Sequence, residues 1–331
     1  MRARYITAAL IFTLALAGCG GGGGNGGPSG TIYAGLTTQA VVTKTNAKSL
    51  AGGAYQSRAT GNALGGVAAS AQANVTSHQV ARPYMLALSE TLRCAVGKID
   101  VAMLPKADFG AAVKTETITE QGSCGGGFSG SATYDDVTGN ISSGSLTFNN
   151  YCNEGVTLSG MINFSGKVSV GTPTPTIEKI DMSFTSLSSK SGSDAFTTNG
   201  NIAIDATVPL QVLATINMVM RDDTAGKVYK MENYQLFASV NPSVWVDVSM
   251  GGRFYGPDDG YVNLTTPTPF RFHITAGVVA ATPSQGALAV TGANKSKATL
   301  VAINNTDYRI DVDTNGDGIL EDQKSGKWTD L

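Results

Sequence analysis

The stretch Val156–Val170, VTLSGMINFSGKVSV, alternates in polarity almost residue by residue. Val156, Leu158, Ile162, Phe164, Val168 and Val170 fall on one side of an extended chain, and Met161, Asn163, Ser165, Lys167 and Ser169 on the other. Successive side chains of a β-strand point to opposite faces of the sheet, so this pattern specifies a strand with one buried and one wetted face. Gly160 and Gly166 interrupt it and allow either a strand pair or one long bent strand.

The same period continues outward to the C-terminus. IEKIDMSFTSL, NGNIAIDATV, ATINMVMRDD, GKVYKMENYQLFASV and SVWVDVSMGGRFY all repeat it, followed by GYVNLTT, PFRFHIT, GALAVTG, ATLVAINN and DYRIDVD. Turn-forming stretches such as DDTAG, PDDG and two TPTP segments separate them. Short connections place sequence neighbours side by side, so the expected fold is mainly β. It is an antiparallel meander over residues 106–331 that curves into a barrel or a sandwich. No strict repeat period is visible.

Residues 31–105 read differently. TNAKSLAGGAY offers Thr45 or Asn46 as an N-cap, with Gly52-Gly53 ending a short helix. In ARPYMLALSETLRCAVGKI, Met85, Leu88, Leu92, Val96 and Ile99 share a helical stripe, with Pro83 near the first turn. One or two N-terminal helices are therefore expected to pack on the sheet.

The N-terminus carries an address. Arg2 and Arg4 precede an apolar run from Tyr5 to Ala15 that is too short to span a bilayer, which takes about 20 residues. This is the layout of a signal peptide, residues 1–18. Leu16–Cys19, LAGC, then resembles the lipobox of bacterial lipoproteins. That resemblance implies cleavage before Cys19, acylation of Cys19 including a palmitate-type chain, and a lipid bilayer as the partner. Two or more acyl chains meet the requirement for stable anchoring. In that class Gly20 after the cysteine goes with the outer membrane. Residues 20–30, GGGGGNGGPSG, form a tether too rich in glycine to order itself.

With Cys19 taken by lipid, Cys94, Cys124 and Cys152 remain in an oxidising compartment. Folding residues 124–152 as a hairpin about Thr138 brings Cys124 opposite Cys152 and Phe128 opposite Phe148. A cross-strand disulfide between Cys124 and Cys152 follows, leaving Cys94 as a packed thiol.

Groups suited to catalysis are scarce. A formal net charge of −2 and the lack of a Lys/Arg cluster argue against nucleic acid. Of the two histidines, His273 in PFRFHIT lies on the polar face opposite Phe270, Phe272 and Ile274, and His78 has no patterned partner. Asp258-Asp259 reads as a turn, or as an acidic pair for glycoside chemistry if the carboxylates are suitably spaced.

One segment carries a mechanism. In DYRIDVDTNGDGILED, oxygen-bearing side chains recur at alternate positions with glycine at the bends. The segment resembles EF-hand-like calcium loops, with Asp311, Asp313, Asn315, Asp317 and Asp322 as candidate ligands. Counting from Asp313 puts Lys324 at the final acidic position, while counting from Asp311 puts Gly318 where an apolar residue is usual. A metal-free tight turn at Asn315-Gly316 or Asp317-Gly318 is the competing reading.

Together these features resemble β-rich lipoproteins of the Gram-negative envelope. The expectation is a lipid-anchored, non-enzymatic binding or structural module with an unidentified ligand and a structural Ca2+. The alternatives are a calcium-supported polysaccharide hydrolase and a self-assembling surface component.

Overall fold

The computed structural model describes residues 33–57, 113–153, 155–169, 177–241, 244–275 and 278–331. The leader, Cys19, the tether, His78, Cys94, Val170 and the expected helix at Met85–Ile99 lie outside the described residues.

One fifteen-stranded antiparallel sheet dominates the chain. Its strands are β1 (Lys114–Gln121), β2 (Gly125–Tyr134), β3 (Asn140–Asn153), β4 (Val156–Val168) and β5 (Ile177–Ser191). They continue as β6 (Asp194–Asp205), β7 (Gln211–Asp222), β8 (Lys227–Asn241), β9 (Trp245–Gly256) and β10 (Gly260–Thr275). The short β11 (Val278–Val279) lies off the main path and pairs with β10. β12 (Gln285–Thr291), β13 (Lys297–Ala302), β14 (Asp307–Asp313) and β15 (Asp322–Lys327) complete the sheet. Apart from β11, which is skipped so that β10 pairs with β12, each strand pairs with its sequence neighbours, as expected of a meander, and β1 and β15 stand at the two ends of the order. The sheet curves without closing into a barrel.

The quoted stretch is one long strand, β4, with Leu158, Ile162, Phe164 and Val168 buried. The same face continues through Met182 and Phe184 of β5, Ile202 of β6, Ile216 of β7, Leu236 of β8 and Phe270 and Phe272 of β10. These side chains belong to a single core. Burying such a row on one face, while Ser, Thr, Asn and Lys face outward, is what a period of two encodes.

A line of irregularities crosses the sheet. Asn150 on β3, Ser186 on β5 and Asn233 on β8 all adopt positive φ, at 48°, 47° and 46°. Each sits at a register shift, where an extra residue bends the strand and sharpens its twist. A bulge strands a backbone N–H, and here the neighbouring strand accepts it. The N–H of Asn150 donates to Ser159 Oγ (3.1 Å), that of Ser186 to Asn199 Oδ1 (2.7 Å) and that of Asn233 to Asn217 Oδ1 (2.8 Å). Met250 N on β9 is taken by Thr266 Oγ1 at 2.7 Å. The displaced carbonyls of Ser186 and Asn233 press on Gly160 and Gly252, positions where any side chain would collide with them. The bend of the sheet is therefore built from polar caps and bare glycines lying side by side.

The helix α1 (Ala47–Gln56) packs on the buried face against β9, β12, β13 and β14. Asn46 holds the N-cap position, although its Oδ1 accepts Thr43 N (2.7 Å) and makes no cap bond to the helix. Gly52-Gly53 does not end the helix, contrary to the sequence expectation. A Cβ there would lie 3.1 Å from Leu331 and 2.9 Å from Phe254, so both glycines serve close packing. Tyr55 lies between Phe270 (centroids 4.9 Å apart) and Trp328 (5.1 Å), and Tyr234 donates to Ala54 O at 2.9 Å.

Candidate metal centre

The β14–β15 connection closes around a group of carboxylates. β14 delivers Asp313 at its last residue, and β15 begins just after Glu321. Asp313, Asp317 and Glu321 each bring one carboxylate oxygen within 4.8 Å of the others, a group that could hold a metal ion.

Backbone donors fix the cluster. Gly316 N donates to Asp313 Oδ1 (2.6 Å) and Gly318 N to Asp313 Oδ2 (2.9 Å). Both glycines have positive φ, +77° and +87°, which turns their N–H groups back onto a single side chain. Asn315 Oδ1 accepts Asp317 N (2.8 Å), and Asp317 Oδ1 accepts Ile319 N (2.8 Å). Glu321 Oε2 reaches across the loop to accept Thr314 N (2.5 Å) and Thr314 Oγ1 (3.1 Å). Each carboxylate oxygen has two lone pairs, so the single N–H bonds at Asp313 Oδ1, Asp313 Oδ2 and Asp317 Oδ1 leave capacity for a cation, whereas Glu321 Oε2 already takes two donors and Oε1 is the oxygen it would offer. Burial works to raise the Asp313 carboxyl, but the backbone N–H donors led by Gly316 and Gly318 outweigh it and hold it below the usual carboxylate range.

The structure redraws the ligand set read from sequence. Asp313 and Asp317 belong to the cluster, and Asn315 is bound into the same loop, donating from Nδ2 to Asp317 Oδ2 (3.1 Å). Asp311 is engaged elsewhere. Arg309 grips it with two bonds (2.7 and 2.8 Å), and Gln323 Nε2 donates to it at 2.8 Å. Asp322 pairs with Lys324 at 3.3 Å. The missed member is Glu321. Counting from Asp313 as position one places Asn315, Asp317, Gly318 and Glu321 at positions three, five, six and nine of a calcium loop, a spacing that would have found it.

The other expected residues are accounted for. Cys124 and Cys152 form a disulfide with Cα atoms 5.1 Å apart, and Phe128 pairs with Phe148. A bulge between Gly125 and Gly127 shifts the ladder so that Gly125, and not Cys124, is the direct partner of Cys152. His273 is exposed on the outer face. Asp258 is ion-paired with Lys227 (2.6 Å), and Asp259 accepts from Asn46 Nδ2 (3.1 Å), which fits the turn reading of that pair.

Several carboxylates away from the loop are also held anionic. Thr207 donates its hydroxyl and N–H to Asp205, and Lys179 adds to them, lowering that group from 3.8 to about 2. Lys327 first, with Thr306 and Asn304, brings Asp307 to about 2. Because these values are depressed in the folded state, the unfolded chain takes up protons first, and stability rises with pH. The melting temperature is therefore expected to hold above about pH 4 and to fall between about pH 4 and pH 2. High salt should weaken this dependence, because the groups are partly exposed. A melting series at low and high ionic strength checks both.

No protein-family model, curated protein or solved structure matches the chain.

Proposed function

We propose that the protein is a lipid-anchored, non-enzymatic module of the bacterial envelope whose acidic loop takes up calcium to lock the C-terminal hairpin. The observation that carries the cation reading is the convergence of Asp313, Asp317 and Glu321 within 4.8 Å, prearranged by backbone donors. Three carboxylates and a side-chain amide are hard oxygen donors, the set that suits calcium over softer metals. Calcium bound there would neutralise the clustered charge.

Lys324 stands where such a loop supplies a bidentate carboxylate, and it donates instead to Lys44 O at 2.6 Å. The site thus lacks its strongest usual ligand, and its affinity belongs in the weak range of extracytoplasmic modules, Kd about 10⁻⁴–10⁻³ M. The role that follows is structural. β15 leads directly into Trp328, which packs on Tyr55 of α1 and lies 5.4 Å from Tyr308, so pinning the hairpin pins the last contact between sheet and helix.

Calorimetric titration with calcium is expected to find one site in that range. At ten times Kd the ion should stabilise the fold by about 1.4 kcal/mol. Asp313→Asn should abolish both the heat and the melting shift. Absence of heat and shift in the wild type at millimolar calcium would reduce the loop to a turn. Anchoring is tested separately by the mass of the membrane-extracted protein, which should begin at an acylated Cys19.

A further inference from the structure

In a meander, alternate hairpin loops lie at the same end of the sheet, and here the exposed apolar side chains are more numerous at one end, although Ile319 and Leu320 are exposed at the other and Asp135 and Asp136 stand in the β2–β3 loop. The loops after β5, β7, β9 and β14 carry Asp194, Asp222 and Asp223, Asp258 and Asp259, and Asp313 with Asp317. The loops at the opposite end carry large apolar side chains in water. Val208 and Leu210 in the β6–β7 loop are 53% and 55% exposed, and Val244 in the β8–β9 loop is 41% exposed. Leu213 and Phe237, a directly opposed pair on β7 and β8, extend this patch onto the outer face at 38% exposure each. Val137 and Ile303 repeat the pattern on the β2–β3 and β13–β14 loops. The charges around the patch are tied up in pairs, Lys179 with Asp205 (3.0 Å) and Arg271 with Asp247 (2.8 Å). Arg271 also lies over the Trp245 ring, 4.4 Å from its centroid.

Clustered exposed apolar groups mark a contact surface. Aliphatic tips rimmed by a tryptophan and a cation suit the boundary between lipid headgroups and acyl chains. We propose that this end of the sheet, centred on Leu210, Leu213, Phe237 and Val244, inserts shallowly into the bilayer that holds the Cys19 lipid. The inference rests on the anchoring reading and adds an orientation to it.

The length of the N-terminal segment supports that occupant. Tyr33 is fixed near the acidic end by its hydroxyl bond to Gly256 O (3.0 Å). From Gly256 up β9 to Val244 is about 40 Å at strand rise. The fourteen residues from Cys19 to Tyr33 reach at most about 46–50 Å when extended. The tether is long enough to plant the lipid beside the apolar tips.

The test uses the full-length, lipidated protein in phosphatidylcholine vesicles whose acyl chains carry bromine as a quencher. The chain has two tryptophans, Trp245 at the patch and Trp328 in the core. Trp245 emission should shift to the blue and be quenched, and a Trp245→Phe variant should show no quenching. Leu210→Ser with Phe237→Ser should lose the quenching yet still float with the vesicles and melt as the wild type does. Wild-type protein that floats without quenching overturns the insertion and leaves the anchor standing. Failure to float overturns the anchoring reading itself. Shielding of Trp245 that depends on protein concentration and needs no vesicles would assign the patch to a second copy of the chain and also overturn the proposal.

Discussion

Gly252→Ala is expected to destabilise the fold by about 3 kcal/mol or more. Two costs add. Gly252 has φ +95°, outside the range an alanine adopts without strain. A Cβ there would also meet the carbonyl oxygen of Asn233, which the β8 bulge turns toward β9. That oxygen cannot retreat cheaply, because the adjoining Asn233 N–H is held by Asn217 Oδ1. Gly226 supplies the control. It too has positive φ (+67°), but nothing lies within 4 Å of its missing Cβ. Gly226→Ala should therefore cost only the backbone term, about 1 kcal/mol. Urea unfolding of both variants separates collision from strain. Equal losses would mean that the bulge line yields and that the bend is not built as described.

Removing the Cys124–Cys152 disulfide should cost about 3–4 kcal/mol on the loop-entropy model for a sequence separation of 28. For a chain of this size that corresponds to roughly 5–8 °C of melting temperature. The location argues for the upper part of that range. Among the described residues β1 pairs with β2 alone, so the far edge of the sheet depends on the β2–β3 hairpin. Phe128, Phe148 and Tyr151 cluster beside the bridge at 5.3–6.0 Å, and Tyr151 Oη donates to Glu120 of β1 at 3.1 Å. Loosening the hairpin releases both contacts. The Cys124→Ser/Cys152→Ser double variant, melted beside reduced wild type, checks this. A loss under about 1 kcal/mol would show that the edge is held by the aromatic contacts and not by the crosslink.

Much of this architecture can be read from one sequence because alternation is a local property. Leu158, Ile162 and Phe164, and later Phe270 and Phe272, declare the buried face within a few residues of one another. The bends are not local. The buried positions jump from Phe148 to Tyr151, from Phe184 to Leu187 and from Met231 to Tyr234, each step crossing a bulge. What stabilises each bulge is a cap on the adjoining strand, such as Asn199 for Ser186. Nothing about Ser186 alone announces it. Gly52-Gly53 misleads for the same reason, since the groups that require bare backbone, Phe254 and Leu331, lie far along the chain. In the acidic loop the alternate-residue spacing identified Asp313 and Asp317, whereas Glu321 falls outside that alternation and is reached only by counting to position nine from Asp313.

The claim on which the functional reading turns is that a cation joins Asp313, Asp317 and Glu321 and thereby fastens the last hairpin. Hydrogen exchange of the full-length protein, with millimolar calcium and with chelator, tests it most directly. Calcium should slow exchange in residues 307–327, most strongly at the Gly316 and Gly318 amides, and leave β2–β8 unchanged. Identical exchange across that segment in both conditions would contradict the account.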